Sequence, residues 1–329
     1  MPNLVFSGIQ PSGSIHIGNY AGALHNWVRL QEEMECIFCI VDLHAITAPY
    51  DEKQMPRRVL DAALDILACG IDPERSLLFV QSHVPQHTEL AWMLSCVAPL
   101  GELNRMTQFK EKSERVDAVN VGLFTYPVLQ AADILLYKAD TVPVGEDQLQ
   151  HLELTREVAR RFNARFGETF PEPKPRLTKA PRIMDLSDPS RKMSKSIEGS
   201  AIMLSDSEDV IKRHVKRAVT DVGADPEAKE MSPGVKNLFT LLEVMGSPTV
   251  VAQLQSDYDG GKLRYSDLKA ALTEAMLTHL RPIRERRAEL AAHPDVVVDA
   301  LAASAQELRR RAEITMQQVR ERLGLTAGR

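Results

Sequence analysis

Short apolar runs alternate with stretches of helical periodicity through residues 1–185, and this alternation limits the fold more than any other feature. The runs lie at 3–9, 37–43 and 77–81, the last reading Leu77-Leu78-Phe79-Val80. Between them, in 53–69, Val59, Leu60, Ala63, Leu64 and Leu67 recur at helical intervals. Strands alternating with helices predict an α/β fold with an open, doubly wound, mostly parallel sheet covered on both faces. Ligands of such sheets bind beyond the carboxyl ends of the strands, so the turns after Phe6 and Val41 are the places to look. His44 is a candidate site residue by this logic, the alternative being a hydrogen-bonded structural histidine.

The second half reads differently. Residues 171–190 carry Pro171, Pro173, Pro175, Pro181 and Pro189, as a domain junction would. Beyond about residue 204 strand signals nearly vanish, and 206–220, 235–245, 266–290 and 296–323 read as helices. Gly223, Pro233, Pro248 and Gly260-Gly261 break them. A smaller all-helical domain follows. In it Lys212, Arg213, Lys216 and Arg217 form two basic i,i+4 pairs, which suits either a solvated face or phosphate contact.

A chain of 329 residues has room for two domains. Its 44% hydrophobic and 26% charged residues are ordinary for a soluble globular protein. With no 18-residue apolar stretch and no cationic–apolar leader, no membrane contact and a cytoplasmic location are expected. The net charge of −5 excludes a wholly basic nucleic-acid binder, so any RNA contact must use local patches. Four cysteines are too few for a disulfide scaffold. Cys36 and Cys39 form a CxxC, but in a buried strand residues three apart face opposite ways, which favours packing over metal.

Two segments carry chemistry. The first runs Phe6-Ser7-Gly8-Ile9-Gln10-Pro11-Ser12-Gly13-Ser14-Ile15-His16-Ile17-Gly18-Asn19. Leu4-Val5-Phe6 before it reads as a strand. After it Ile17, Ala21, Leu24, Val28 and Gln31 fall at helical spacing, widened by Ala23, Trp27 and Leu30. A helix start offers unpaired N–H groups and partial positive charge to phosphates. Gly8 and Gly18 permit close backbone approach, and His16 and Asn19 can donate to phosphate or ribose. The segment is neither a GxxxxGK[ST] loop nor a GxGxxG fingerprint. The second is Lys192-Met193-Ser194-Lys195-Ser196, which follows the breaker run Asp188-Pro189-Ser190-Arg191 and so reads as a loop. Lysine is a mobile point charge, suited to a phosphate whose charge changes as a bond breaks. The alternative is a solvated basic loop.

Together the two segments resemble the paired signatures of class I aminoacyl-tRNA synthetases, a HIGH-type turn and a KMSKS loop. His16-Ile17-Gly18-Asn19 departs from the general class at Asn19, and with the preceding GIQPSG it is similar to the tryptophan branch of bacterial enzymes. Further matching blocks are Phe38–Thr47, Arg105–Lys112, Tyr126-Pro127 with Ala131–Leu135, and Val142–Gln148. The resemblance implies a Rossmann-like catalytic domain over 1–185 and a helical anticodon-binding domain over 186–293, with the lysine loop at its start. The last helix, about 294–329, is expected to pack back on the catalytic domain. It also implies an enzyme that activates L-tryptophan with ATP, releases pyrophosphate and charges tRNA(Trp). A symmetric homodimer is expected, as is Mg2+ bound through the ATP phosphates and not by a protein metal site.

The resemblance assigns residues as well. Lys195 is expected to stabilise the departing pyrophosphate and Lys192 to hold the terminal phosphates. Lys112 is a further mobile cation. Met193, Ser194 and Ser196 belong to the same loop, the two serines as donors. Gln10, Pro11, Ser12, His16, Gly18 and Asn19 are assigned to ATP from the first turn. Gly145, Glu146, Asp147 and Ile183 join them from later in the chain.

For the amino acid the central candidate is Asp133. It lies in an otherwise apolar helical run, Leu129–Leu136, where a carboxylate needs a donor such as an indole N–H or a bond within the helix. Phe6, Ile134, Val142 and Val144 would wall the ring, and Tyr126 and Gln148 would meet the ammonium group. Gly8, His44 and Gln130 complete the pocket. Gln130 stands where methionine is common in the family. Lys212, Arg213, Lys216 and Arg217 would meet tRNA. A tyrosine-specific synthetase, a non-catalytic paralogue and a small nucleotidyltransferase remain as competing readings.

Overall fold

Ile37, Phe38, Cys39 and Ile40 have no exposed side chain, so the strand that carries them must be covered on both faces. In the computed structural model, which describes residues 4–107, 119–177, 181–195, 200–220 and 231–325, it is. Strands β1 (Leu4–Ile9), β2 (Glu35–Ile40), β3 (Ser76–Val80), β4 (Thr141–Val144) and β5 (Lys174–Leu177) form one sheet in the order β3-β2-β1-β4-β5. Every pairing is parallel. The chain steps outward from β1 through β2 to β3, then returns to place β4 on β1's other side. The strand order therefore reverses between β1 and β4, where such folds open a crevice at the carboxyl ends of the strands.

Alternation along the strands divides the core. Val5, Cys36, Phe38 and Ile40 enter one apolar cluster with Leu24, Trp27, Ala63 and Leu67. Phe6, Ile37, Cys39 and Phe79 enter the other, with Leu135, Val158 and Phe162. Cys36 and Cys39 thus face opposite ways, as a strand requires. The first cluster continues without a break through Ile183, Met193 and Ile202 into Leu238, Leu272 and Leu280 of the later helices. The Pro294–Arg322 helix sends Leu308, Ala312, Met316 and Val319 into the second cluster.

Three elements differ from the sequence reading. β5 lies inside the proline-rich 171–190 stretch, with Val142 opposite Pro175. It is an edge strand with all four side chains exposed, a setting that accepts proline. The helix Pro248–Asp259 was not expected, because Leu254 is its one buried residue and leaves little periodicity to read. The helical stretch after the first turn runs Ile17–Asn19, then a π-helical turn Tyr20–Leu24, then His25–Glu33. The π turn brings Tyr20, Ala21 and Leu24 inward together. The remaining helical expectations correspond to Met55–Ala68, Glu208–Arg217, Pro233–Met245, Tyr265–Ala292 and Pro294–Arg322. Among the described residues no helix is long and apolar enough to cross a membrane.

Candidate active site

β1 ends at Ile9, and the chain turns through Gly13, whose φ of 91° is a conformation glycine adopts without strain. It then pairs with a distant segment. Ile17 N–H donates to the Ile202 carbonyl and Leu204 N–H to the Ile15 carbonyl, both at 2.9 Å. His16 stands immediately before the helix. Its Nδ1 accepts from the N–H groups of Gly18 at 3.0 Å and Asn19 at 3.3 Å. The helix start therefore does not offer those two N–H groups, because His16 already uses them. A ring nitrogen that accepts carries no proton, so the donor left on the imidazole is Nε2–H. Burial, followed by the positive charges of Lys195 and Lys192, pushes the His16 pKa down to about 4, which keeps the ring neutral. A Cβ on Gly18 would lie 2.9 Å from the His16 ring, so the cap itself demands glycine there.

The lysine loop reaches this turn. Lys195 Nζ lies 3.4 Å from both the carbonyl and Oγ of Ser12, and 3.2 Å from the Gly13 carbonyl. Burial lowers the Lys195 pKa, opposed by the Asp65 carboxylate. Behind it a short hairpin sets the loop. Asp185 N–H donates to the Arg191 carbonyl at 2.9 Å and Met193 N–H to the Ile183 carbonyl at 3.1 Å. Met184 and Lys192 form the bridge between the two sides. Asp185 closes the bend by accepting from Ser187 N–H and Oγ, each at 2.7 Å. Met193 is buried in the first apolar cluster and anchors the loop there. Ile183 is also buried, and a Cβ on Gly18 would lie 3.7 Å from it, which places it against the first turn. Lys112 and Ser196 lie outside the described residues.

Between the ends of β1 and β4 opens a pocket of about 240 Å³. That is below the usual range of small-molecule clefts, which suits a small ligand such as an amino acid. Phe6, Gly8 and Gln10 line it from β1 and its turn, Val142 and Val144 from β4, with His44 and Gln148 at its sides. Tyr126, Gln130, Asp133 and Ile134 come from the Val121–Leu136 helix, spaced so that one face meets the pocket. All ten residues expected around the amino acid are thus brought together, Gln130 among them. Ser7, Val41 and Pro143 also line the pocket without having been expected. A Cβ on Gly8 would meet Val41 Cγ1 at 2.8 Å, so glycine keeps this corner open. Gly145, Glu146 and Asp147 follow β4 directly, at the same edge of the sheet.

Asp133 does not wait for a ligand to find partners. His44 Nε2 lies 2.8 Å from its Oδ2. Gln81 Nε2 donates to Oδ1 at 2.8 Å, and His87 Nδ1 meets Oδ1 at 2.6 Å. Burial alone would raise the Asp133 pKa, but the bonds from His44 and His87 outweigh it and hold the carboxyl well below the usual carboxylate range. Tyr126 is fixed in turn by His151, whose Nε2 lies 2.8 Å from its hydroxyl, and burial pushes that hydroxyl up to about 12. Asn237, from the Pro233–Met245 helix, spans Met184. Its Oδ1 accepts from Met184 N–H at 2.8 Å and its Nδ2 donates to the Met184 carbonyl at 2.9 Å. The sequence does not mark Gln81, His87, His151 and Asn237 as site residues: Gln81 closes the 77–81 run and Asn237 lies within the 235–245 helical stretch, and nothing local marks any of the four as a partner of the site. On Glu208–Arg217, Ile211 and Val215 face the core while Lys212, Arg213, Lys216 and Arg217 are exposed. Lys212 pairs with Glu208 at 3.4 Å.

A parallel sheet whose first turn meets a distant lysine loop above a carboxylate-ended pocket agrees with a known family. Residues 1–281 match the model of the tRNA synthetases class I (W and Y). The chain belongs to this family of class I tRNA synthetases. A tryptophan–tRNA ligase of Streptomyces avermitilis is 48% identical, the match covering 97% of this chain and 96% of that one. Tryptophanyl-tRNA synthetase from Campylobacter jejuni, solved with ADP and tryptophan, superposes with a TM-score of 0.84 at 35% identity, covering 98% of this chain and 99% of its own. The Mycoplasma pneumoniae tryptophanyl-tRNA synthetase gives 0.87 at 34% identity, with 99% of each chain covered.

Proposed function

We infer that this protein is a tryptophan–tRNA ligase, which activates L-tryptophan with ATP and transfers it to the 3′ end of tRNA(Trp). The observation that carries the reading is the contact of Lys195 with Ser12 and Gly13, above a pocket that ends on Asp133. In the first step a tryptophan carboxylate oxygen bonds to the α-phosphorus of ATP. The bond from that phosphorus to the bridging oxygen breaks, and pyrophosphate leaves with the electron pair. The nucleophile is already ionised, so no protein base is required. Catalysis rests on alignment and on charge opposite the departing pyrophosphate. Lys195 supplies that charge, Lys192 and Ser194 extend it, and His16 donates from Nε2. Gln10, Ser12, Asn19 and the Gly145–Asp147 turn hold the nucleotide. In the second step the terminal ribose hydroxyl of tRNA attacks the activated carbonyl and AMP departs.

The free lone pair of Asp133 Oδ2 takes the indole N–H, between walls formed by Phe6, Ile134, Val142 and Val144. Tyr126 and Gln148 meet the ammonium group. Magnesium enters bound to the triphosphate.

Residues 1–185 form the catalytic domain, joined by the returning helix after 294, and 186–293 form the anticodon-binding domain. Lys212, Arg213, Lys216 and Arg217 meet tRNA phosphates there. The protein works as a homodimer. Exposed Trp92, Leu100 and Val121 stand on mutually packed helices and supply apolar surface for it. It acts in the cytoplasm, where a reducing medium suits its free cysteines. Pyrophosphate exchange tests the reading. Tryptophan, and not tyrosine, should drive exchange and then charge total tRNA. Exchange with tyrosine but not tryptophan would refute it.

A further inference from the structure

We propose that Gln81 and His87 set the amino-acid specificity of this site by fixing which lone pair of Asp133 a ligand can reach. The inference rests on the reading that Asp133 takes the indole N–H. A carboxylate has about four acceptor positions, two on each oxygen. Gln81 Nε2 and His87 Nδ1 occupy both positions on Oδ1, and His44 Nε2 occupies one on Oδ2. One position remains, on the oxygen shared with His44. Asp133 and His44 line the pocket, while Gln81 and His87 lie outside its lining. The two therefore act from behind the carboxylate, as positioning residues that touch no substrate.

The network leaves little freedom. His87 Nε2 lies 2.8 Å from the Tyr137 hydroxyl, and burial raises the Tyr137 pKa, so that hydroxyl keeps its proton. With Tyr137 donating to Nε2, the His87 proton sits on Nδ1 and points at Asp133. Gln81 is held the same way, because a flipped amide would set its oxygen against the carboxylate. The cost of that orientation is visible. Gln81 Oε1 is buried with no hydrogen-bond partner, an arrangement that packing alone does not favour. A pocket wall built so presents one acceptor and no donor. It selects a ring bearing an N–H at that point and disfavours an isostere without one.

The test compares pyrophosphate exchange driven by tryptophan and by its benzothiophene isostere, in which sulfur replaces the N–H. It uses the full-length chain and three variants. Gln81→Leu removes the partnerless acceptor together with one donor to Asp133, whose Oδ1 keeps its bond from His87. His87→Phe with Tyr137→Phe removes both ends of the His87–Tyr137 bond and frees one position on Asp133 Oδ1, which keeps its bond from Gln81. Asp133→Asn tests the underlying reading. Each of the first two should lower the ratio of kcat/KM for tryptophan over the isostere by about tenfold, through KM for tryptophan, with kcat within about twofold. An unchanged ratio in both, with Asp133→Asn lowering it, overturns this inference alone. An equal rise in KM for both amino acids also overturns it, since that marks general pocket damage. A ratio unchanged in Asp133→Asn as well overturns the reading of Asp133 itself.

Discussion

His16 cannot take a second proton without releasing Gly18 and Asn19, because the electron pair that would receive it already accepts from both N–H groups. Its pKa falls from 6.5 in the unfolded chain to about 4 in the folded one. As acid is added the unfolded chain therefore binds its proton first. The contribution of His16 to stability is complete above about pH 6.5 and is lost as pH falls toward about 4, at roughly 1.4 kcal/mol per pH unit. His16→Asn retains a side-chain acceptor for the cap and removes the titration. Urea unfolding of the two proteins across this range should show a flatter profile for the variant; parallel profiles would contradict the assignment. Lys195 belongs to the same scale. Lys195→Ala should slow pyrophosphate exchange by about 10^2 with little change in tryptophan binding, as for loss of a contact made only in the transition state. Equal exchange rates would remove Lys195 from the mechanism.

At the scale of elements, one side chain from a later helix spans the hairpin that carries Lys192. Asn237 satisfies both backbone groups of Met184, the residue bridged to Lys192. Asn237→Ala should raise KM for ATP by about tenfold, the worth of two such bonds, and leave KM for tryptophan unchanged. A matching rise for both substrates would show a general loss of fold. The same scale shows what the sequence made legible. The first turn and the lysine loop could be read because each is a contiguous run with its breakers beside it. β2 could be read because Ile37–Ile40 is apolar on both faces. Asn237 and His87 could not, since their partners lie 53 and 46 residues away and nothing local marks them. Asp133 was visible as a carboxylate in apolar surroundings and His44 as a candidate following a strand, but the bond between them and the partners Gln81 and His87 were not. β5 was hidden because an exposed edge strand has no apolar pattern.

At the scale of the whole molecule, the late helices and the first turn meet at one carboxylate. Asp65 accepts from Ile15 N–H at 2.7 Å and from Arg287, which also reaches Asp61 at 2.9 Å. Burial raises the Asp65 pKa against those bonds. Removing Arg287 would leave a buried charge beside the nucleotide turn without its cation. Arg287→Ala should cost about 3 kcal/mol in denaturant unfolding, and adding Asp65→Asn should recover about half. Additive losses in the double variant would show that the two residues act independently.

The Pro294–Arg322 helix packs on β3 and on the Gln86–Ser95 and Val121–Leu136 helices, and brings Leu308, Ala312, Met316 and Val319 into the cluster that holds Phe79. An early strand is thus covered only by a helix made more than two hundred residues later. Until that helix is made, Phe79 has no final cover on that side. A nascent chain in this state carries an uncovered apolar flank until the helix through residue 319 has cleared the exit tunnel.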